Sequence, residues 1–175
     1  MRQMTKLALC VTLTLLLLGA FFAVSAAGTH QAGPPRDISG LRFPPPTNEV
    51  NKANFITTAT GGFSLAAGFN ILDSVKFYCG SVGSGTCTLV VNSFSTSSGG
   101  GIENDDRALC LVVDGNIVGA CAYNGYDTAD GSYSAISSIN NTVVSSGNHQ
   151  AFVLFYSTDG TTMYTFTNVY NVYKP

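Results

Sequence analysis

The sequence has little charge and no tryptophan. Of its 175 residues 10% are charged, with 8 Lys+Arg against 10 Asp+Glu and a formal net charge of −2, whereas 45% are hydrophobic. This composition excludes an intrinsically disordered chain, which combines high net charge with few apolar groups. So few basic residues also exclude a nucleic-acid partner that is bound through phosphate neutralisation. The length fits one globular domain.

Catalytic and metal-binding patterns are scarce as well. Downstream of residue 50 the sequence has one histidine, His149, and Ser64 lacks the second glycine of a G-x-S-x-G nucleophile elbow. The neighbours of His149 are Ser, Gly, Asn and Gln, a setting typical of a solvent-exposed loop. Paired C-x-x-C spacing is missing too. We therefore predict no catalytic residue and no zinc site.

The first 26 residues have the pattern of a secretory signal peptide. Arg2 and Lys6 precede an apolar run that ends in small residues. A transmembrane anchor is the alternative, because the run approaches the roughly 20 residues that span a bilayer, but no basic stop-transfer cluster follows it. Cleavage after Ala26 or Ala27 removes two basic residues and leaves 6 basic against 10 acidic residues, a net charge of −4. The mature form then has no membrane anchor.

Cleavage also removes Cys10 and leaves an even number of cysteines. Four cysteines in an exported protein indicate two disulfides. Three pairings are possible, and spacing alone does not decide among them. Proximity along the chain and an intervening turn favour Cys79 with Cys87 and Cys110 with Cys121.

Residues 27–50 differ in composition from the rest of the chain. They hold five of the six prolines, three of them consecutive from Pro44. Proline fixes φ and lacks an amide proton, so this run is excluded from a central strand. We predict a proline-rich lead-in over residues 27–50, pinned to the domain near Phe43, and one folded domain over residues 51–175.

The sequence from residue 51 onward has an all-β pattern. Short runs rich in Val, Ile, Thr, Phe and Tyr are separated by Gly, Asn, Asp and Ser, and a convincing 3.6-residue period is absent. We predict a two-sheet antiparallel sandwich or jelly roll of about eight strands. The predicted strands cover residues 54–59, 74–79, 86–95, 107–114, 116–123, 132–140, 150–157 and 162–173.

The stretch from Cys110 to Cys121 predicts a β-hairpin, with two apolar runs around an Asp-Gly-Asn turn. A loop made of Gly115 and Asn116 brings the two cysteines opposite each other. The commoner type I′ dipeptide, Asp114 and Gly115, leaves Cys121 two residues too far along, and a bulge is then needed to restore the pairing.

The C-terminal stretch predicts a second hairpin, in which Asp159 and Gly160 form the turn. The last strand alternates aromatic and polar residues, and Asn168 interrupts this alternation. The interruption predicts a bulge in the middle of the strand. Phe152 and Phe155 in the preceding strand add to an aromatic core that replaces tryptophan.

Two loops concentrate acidic and tyrosine side chains. The sequence predicts no cofactor other than Ca²⁺, for which residues 99–106 offer oxygen ligands, although exposed turns are the favoured explanation of these residues and the spacing is not that of an EF-hand. In residues 123–133 we predict ligand-binding side chains, since exposed tyrosines stack on sugars or anchor proteins, although packing explains them too. The candidates are Glu103, Asp105 and Asp106 for the metal, and Tyr123, Tyr126, Asp127, Asp130 and Tyr133 for the ligand.

One N-glycosylation sequon is present, Asn140-Asn-Thr, and it applies only in a eukaryotic secretory pathway.

Two segments resemble parts of secreted β-sandwich proteins. The last strands, with their aromatic residues and the ending Asn-Val-Tyr-Lys-Pro, resemble the closing hairpin of secreted jelly-roll modules. The hairpin at residues 110–121 resembles segments of uncharacterised secreted β-sandwich proteins. At the level of the fold the resemblance extends to C1q- and TNF-like jelly rolls, which implies a trimeric recognition module.

These features predict a secreted module, extracellular or at the cell surface, that is not an enzyme and binds an extracellular protein or glycan through residues 99–106 and 123–133. A small extracellular hydrolase that uses the loop carboxylates is one alternative, and two acids converging in a cleft would favour it. A purely structural component that associates with itself is the other, and a large apolar self-complementary patch would favour that.

The signal peptide and the disulfides are tested together by intact-mass analysis of the secreted protein. We expect a chain that starts after Ala26 or Ala27 and whose mass is 4 Da below the fully reduced value, because each of two disulfides removes two hydrogens. Four free thiols in the native material would contradict the predicted covalent framework.

Overall fold

The computed structural model describes residues 37–50, 55–80, 85–99, 106–124, 133–158 and 160–173. Within these ranges the chain forms nine β-strands and no helix. The strands are β1 (Asn48–Val50), β2 (Phe55–Leu65), β3 (Gly68–Cys79), β4 (Thr86–Gly99), β5 (Arg107–Val113), β6 (Asn116–Asn124), β7 (Tyr133–Ser145), β8 (Gly147–Ser157) and β9 (Thr161–Tyr173). In the described part of the chain, no helix has the length and apolarity needed to cross a membrane.

The strands form two sheets. The five-stranded sheet has the order β1-β3-β8-β5-β6, and the four-stranded sheet has the order β2-β9-β4-β7. Only β1 pairs in parallel, with β3; the other pairings among the described strands are antiparallel. The predicted all-β sandwich is confirmed.

Each of the eight predicted strands has a counterpart, and β1 is an additional strand inside the lead-in. Pairing of β1 with β3 places residues 48–50 in the five-stranded sheet. Phe43 packs on Phe152 with ring centroids 4.7 Å apart, next to Ile38 and Leu41. The described part of the lead-in is therefore packed against the sandwich, as was expected for Phe43.

The core has two layers because β5 and β8 are buried on both faces. The layer between the sheets is made of large apolar side chains that include Phe77, Phe155 and Leu89. A second, smaller layer lies on the outer face of the five-stranded sheet, beneath the lead-in. Strands covered on both sides have continuous apolar sequences, as in Ala-Leu-Cys-Leu-Val-Val of β5.

Both predicted disulfides are present. The bond between Cys79 and Cys87 joins β3 to β4 and so links the two sheets, whereas the bond between Cys110 and Cys121 joins β5 to β6 within one sheet. In the chain-entropy model, closing loops of this length stabilises the fold by about 2.5–3 kcal/mol each.

The turn of the β5–β6 hairpin corrects one expectation. Asp114 and Gly115, with φ of 48° and 82°, form the two-residue turn, and Val113 lies opposite Asn116. The prediction that Gly115 and Asn116 form the loop is therefore wrong. The two extra residues needed for the cysteine pairing lie in β6 around Gly119, because pairing shifts there from a partner at 118 to a partner at 122.

The predicted C-terminal hairpin is wrong. Strand β8 pairs with β3 and β5, whereas β9 pairs with β2 and β4 in the other sheet. The reason is burial: β8 is apolar on both faces and needs a covered central position, whereas β9 has one polar face. The bulge of β9 lies at Tyr164, between the partners of Thr96 and Ser97, and Asn168 keeps a regular register.

Gly119 provides a test of the bulge. Its φ is +70°, and a Cβ there would lie 2.8 Å from the Oδ1 atom of Asn140, a residue that is 7% exposed. Gly115 has a φ of +82° with open space around it. We expect Gly115→Ala to lower the free energy of unfolding by about 1 kcal/mol, the cost of a left-handed backbone alone. We expect Gly119→Ala to lower it by about 2–3 kcal/mol, because overpacking is added.

Urea denaturation of the two variants, with both disulfides intact, measures the difference. Equal losses at the two glycines would show that Asn140 does not constrain the bulge.

Candidate functional site

The two loops that were predicted to bind a ligand leave the sandwich at the same end. Ser98, at the end of β4, pairs with Tyr133, at the start of β7. Arg107, at the start of β5, pairs with Asn124, at the end of β6. The connection between β8 and β9 is at this end too, since Ser157 also pairs with Arg107. We call this the loop end.

The base of the loop end is held by hydrogen bonds of backbone groups to each other and to threonine hydroxyls. The Asp106 N–H donates to Thr158 Oγ1 at 2.6 Å, and the Thr158 N–H donates to the Asp106 carbonyl at 3.1 Å. The hydroxyl of Thr161 donates to the carbonyl of Ser98 and joins β9 to β4. The segments that lead into residues 99–106 are thus fixed on both sheets.

A buried guanidinium lies directly beneath this base. Arg107 is 1% exposed, and its Nη1 is 3.4 Å from both the carbonyl and the hydroxyl oxygen of Ser97. A charged group this deep must be hydrogen-bonded, because desolvation otherwise disfavours it strongly. Sequence reasoning did not single out Arg107. The available signal was a basic residue at the head of an otherwise continuous apolar strand.

The structure describes part of the predicted ligand-binding set. Tyr123 is 38% exposed near the end of β6, and Tyr133 begins β7. Tyr126, Asp127 and Asp130 lie outside the described residues. Whether the five residues form one surface therefore stays a prediction.

Of the three predicted calcium ligands, the structure describes only Asp106. Asp106 is half-buried beside Thr158, whereas Glu103 and Asp105 lie outside the described residues. Across the ranges that the structure describes, three or more His, Cys, Asp or Glu side chains are never grouped so as to hold a metal ion. Calcium binding by this loop stays a prediction.

The expectation that His149 lies in a solvent-exposed loop is wrong. His149 lies on β8, is 9% exposed, and packs on Phe77 with ring centroids 5.3 Å apart. Its Nδ1 is 2.7 Å from Asp114 Oδ2, and its Nε2 is 2.9 Å from the carbonyl oxygen of Ser145. Both ring nitrogens are engaged, so the imidazole has a structural role.

Asp114 connects the β5–β6 turn to β8 by more than this contact. Its Oδ1 accepts the Gln150 N–H at 3.0 Å, and its own N–H donates to the Gln150 carbonyl at 3.0 Å. Strand β5 is therefore tied to β8 at both ends, by Asp106 at the loop end and by Asp114 at the opposite end.

A shallow groove lies beside His149. Its cavity volume is about 330 Å³, and its walls come from β1, β3 and β8. Glu49 and Lys76 form an exposed ion pair at its rim, with 3.2 Å between Oε2 and Nζ. An exposed pair of this kind contributes little to stability. The imidazole of His149, whose two nitrogens are bonded to Asp114 and Ser145, forms part of the wall of the groove.

The two sheets are also joined through a half-buried carboxylate, that of Asp73. Asp73 Oδ2 accepts hydrogen bonds from Tyr170 Oη at 2.8 Å, from Asn168 Nδ2 at 3.3 Å, and from the hydroxyl of Thr57. The Ser74 N–H donates to Oδ1 at 2.8 Å. Burial, together with the charge of Asp73 and the hydrogen bond to it, raises the pKa of Tyr170 well above its usual value. This cluster joins β3 to β2 and β9.

Asn140, the sequon residue, lies on β7 with its amide beside Gly119. It is 7% exposed. A glycan needs a path to solvent, so an occupied sequon requires this amide to leave its enclosed position. Glycosylation stays a prediction that the packing of Asn140 disfavours.

Comparisons with known proteins identify no family. No family model matches the chain, and no curated protein matches it. Among solved structures, dimeric latent PorU from Porphyromonas gingivalis is similar, with 13% identity, a TM-score of 0.38, and coverage of 74% of this chain and 13% of that chain. A structure of infectious bursal disease virus Gx strain is similar with 10% identity, a TM-score of 0.37, and coverage of 69% and 32%. Likeness at this level carries no argument about function.

The Asp73 cluster predicts a defined response to alkaline pH. In the unfolded chain Tyr170 ionises near pH 10, whereas the fold favours its neutral form. Tyr170 therefore has no effect on the pH dependence of stability below about pH 10. Above about pH 10 the unfolded chain loses the tyrosine proton first, so the free energy of unfolding falls by up to about 1.4 kcal/mol per pH unit. Urea denaturation between pH 8 and 11 measures this slope.

Tyr170→Phe should make the slope shallower, and Tyr173→Phe, at an exposed tyrosine, is the matched control. Identical slopes in the wild type and in Tyr170→Phe would show that Tyr170 is not responsible.

Proposed function

We propose that the mature domain is a secreted, non-catalytic interaction module that binds an extracellular protein or glycan through residues 99–106 and 123–133. The observation that carries this proposal is that the strand ends flanking both loops lie at one end of the sandwich, where Ser98 pairs with Tyr133 and Arg107 with Asn124. Loops that a rigid scaffold positions together are common binding surfaces.

The scaffold beneath the loops supports the proposal. Hydrogen bonds between Asp106 and Thr158, and burial of Arg107 against Ser97, fix the strand ends from which the loops emerge. Fixed strand ends lower the entropy that a loop loses on binding. Tyr123 adds an aromatic ring at this end, and its exposed fraction leaves area for a ligand.

The two disulfides support an extracellular site of action. Disulfides persist in oxidising compartments and are rare in the cytosol. Both bonds lie in strands that pack in the core, where Cys79, Cys87 and Cys110 are at most 2% exposed. A role outside the cell also agrees with the signal-peptide pattern of the first 26 residues.

Binding is tested by incubating the secreted mature protein with glycan and protein arrays, with and without calcium. We expect saturable binding without turnover. Tyr123→Ala should then weaken the binding about tenfold or more, because truncating an aromatic anchor costs more than about 1.4 kcal/mol.

Tyr78→Ala is the matched control for this experiment. Tyr78 is an exposed tyrosine at 55%, near the end of β3 that lies away from the loop end. Equal losses of affinity in the two variants would show that the ligand does not bind at Tyr123. Turnover of an array glycan would show that the protein is a hydrolase and not a binding module.

A further inference from the structure

Asp, Glu, Lys, Arg and His are missing from one whole sheet. Strands β2, β4, β7 and β9 have 11, 14, 13 and 13 residues, and their sequences contain no Asp, Glu, Lys, Arg or His. Elsewhere in the described residues such groups occur in the five-stranded sheet, its connections and the lead-in, as with Lys76, Asp114 and Arg42. The sandwich thus has one uncharged side.

The outer face of this uncharged sheet exposes large apolar side chains. Ile56 pairs with Val169, Val169 with Asn92, and Asn92 with Ile139, so these residues form one row across all four strands. The ends of the row are open to solvent, with Ile56 61% and Ile139 77% exposed. Single exposed apolar residues are ordinary, but here apolar side chains occupy three of the four positions of a row that spans the sheet, and the uncharged Asn92 is the fourth.

Three further exposed residues share this face because they occupy matching positions in the register. Phe94 lies two residues from Asn92 on β4 and is 42% exposed. Val143, at 66%, and Tyr173, at 57%, both lie opposite Thr88. Threonine, serine and asparagine fill the positions between them, and these side chains form hydrogen bonds without bringing charge.

The other side of the sandwich differs in being covered by its own chain. Ile38, Leu41 and Phe43 of the lead-in pack over the outer apolar layer of the five-stranded sheet. No described segment covers Ile56, Ile139 or Val143 in the same way, as their exposed fractions show. The uncharged face is therefore the side left for a partner.

Charge and area both indicate what this partner is. Interface cores are depleted of charged residues, and a charged partner would lose hydration here without gaining an ion pair. A second copy of the same face brings no charge to be desolvated. Four strands about 4.8 Å apart, with 11 to 14 residues at about 3.3 Å each, present about 800 Å². A stable interface takes about 800 Å² from each partner.

We propose that two copies of the chain associate face to face through the outer surfaces of their four-stranded sheets, with Ile56, Phe94 and Ile139 in the contact. A pair formed in this way is closed by a two-fold axis, because the same patch is used twice. The loops of each copy begin beyond the ends of these strands, so this association and ligand binding by the loops are tested as separate properties.

The test is sedimentation of the secreted mature protein over a range of concentrations. We expect the wild type to form a dimer, and Ile139→Lys and Ile56→Lys each to raise its dissociation constant about 100-fold or more, since each places two lysines in the contact. Tyr78→Lys adds the same charge to the outer face of the five-stranded sheet and should leave the dimer unchanged. Raising sodium chloride from 50 to 500 mM should not dissociate the wild type, because the contact has no ion pair.

A second measurement keeps the proposal falsifiable if a lysine variant folds poorly. In hydroxyl-radical footprinting of the wild type, Ile139, Val143 and Phe94 should become protected as concentration rises, whereas Tyr78 should not. A wild type that is monomeric at every concentration overturns the proposal, and so does an assembly that both lysine variants form as readily. Protection of the face only when another protein is added would indicate a different partner and would overturn it too.

Discussion

The burial of β8 on both of its faces is the constraint on which the rest of the architecture depends. Residues 151–155 are each at most 1% exposed. Because side chains alternate along a strand, one set needs a cover inside the sandwich and the other needs one outside. The four-stranded sheet covers the inner set, and Ile38, Leu41 and Phe43 cover the outer set. This constraint explains why part of a proline-rich segment packs on the domain instead of serving only as a tether.

The same constraint organises the polar contacts. Strand β5, the neighbour of β8, is buried along its length, and an aspartate at either end of it bonds to residues beside or within β8. Asp106 bonds to Thr158 through the backbone, and Asp114 bonds to His149 and Gln150. Asp73 on β3 accepts hydrogen bonds from side chains of β2 and β9 and so joins the two sheets. Polar side chains in this protein thus hold apolar strands in register. At the loop end, the same kind of contact fixes the ends of the strands.

The sequence was informative where the determining interactions are local. Alternation and turn residues located eight strands, and short spacing along the chain gave both disulfides, Cys79–Cys87 and Cys110–Cys121. The assignment of β8 and β9 to different sheets depends on which faces are buried, and a turn such as Asp159-Gly160 does not encode this. His149 and Arg107 were missed for a similar reason, since their partners lie on other strands. The loop residues from 125 to 132 and from 100 to 105 lie outside the described part, so their joint arrangement rests on the sequence.

The segregation of charge has a consequence for the conditions in which the protein works. Strands β2, β4, β7 and β9 contain no Asp, Glu, Lys, Arg or His, and Cys87 on β4 is held in a disulfide. Acidification or dilution of the surrounding fluid therefore leaves the electrostatic character of that side of the molecule as it was. In surroundings whose acidity and salinity change, this surface keeps one constant chemistry while the opposite side responds to its environment.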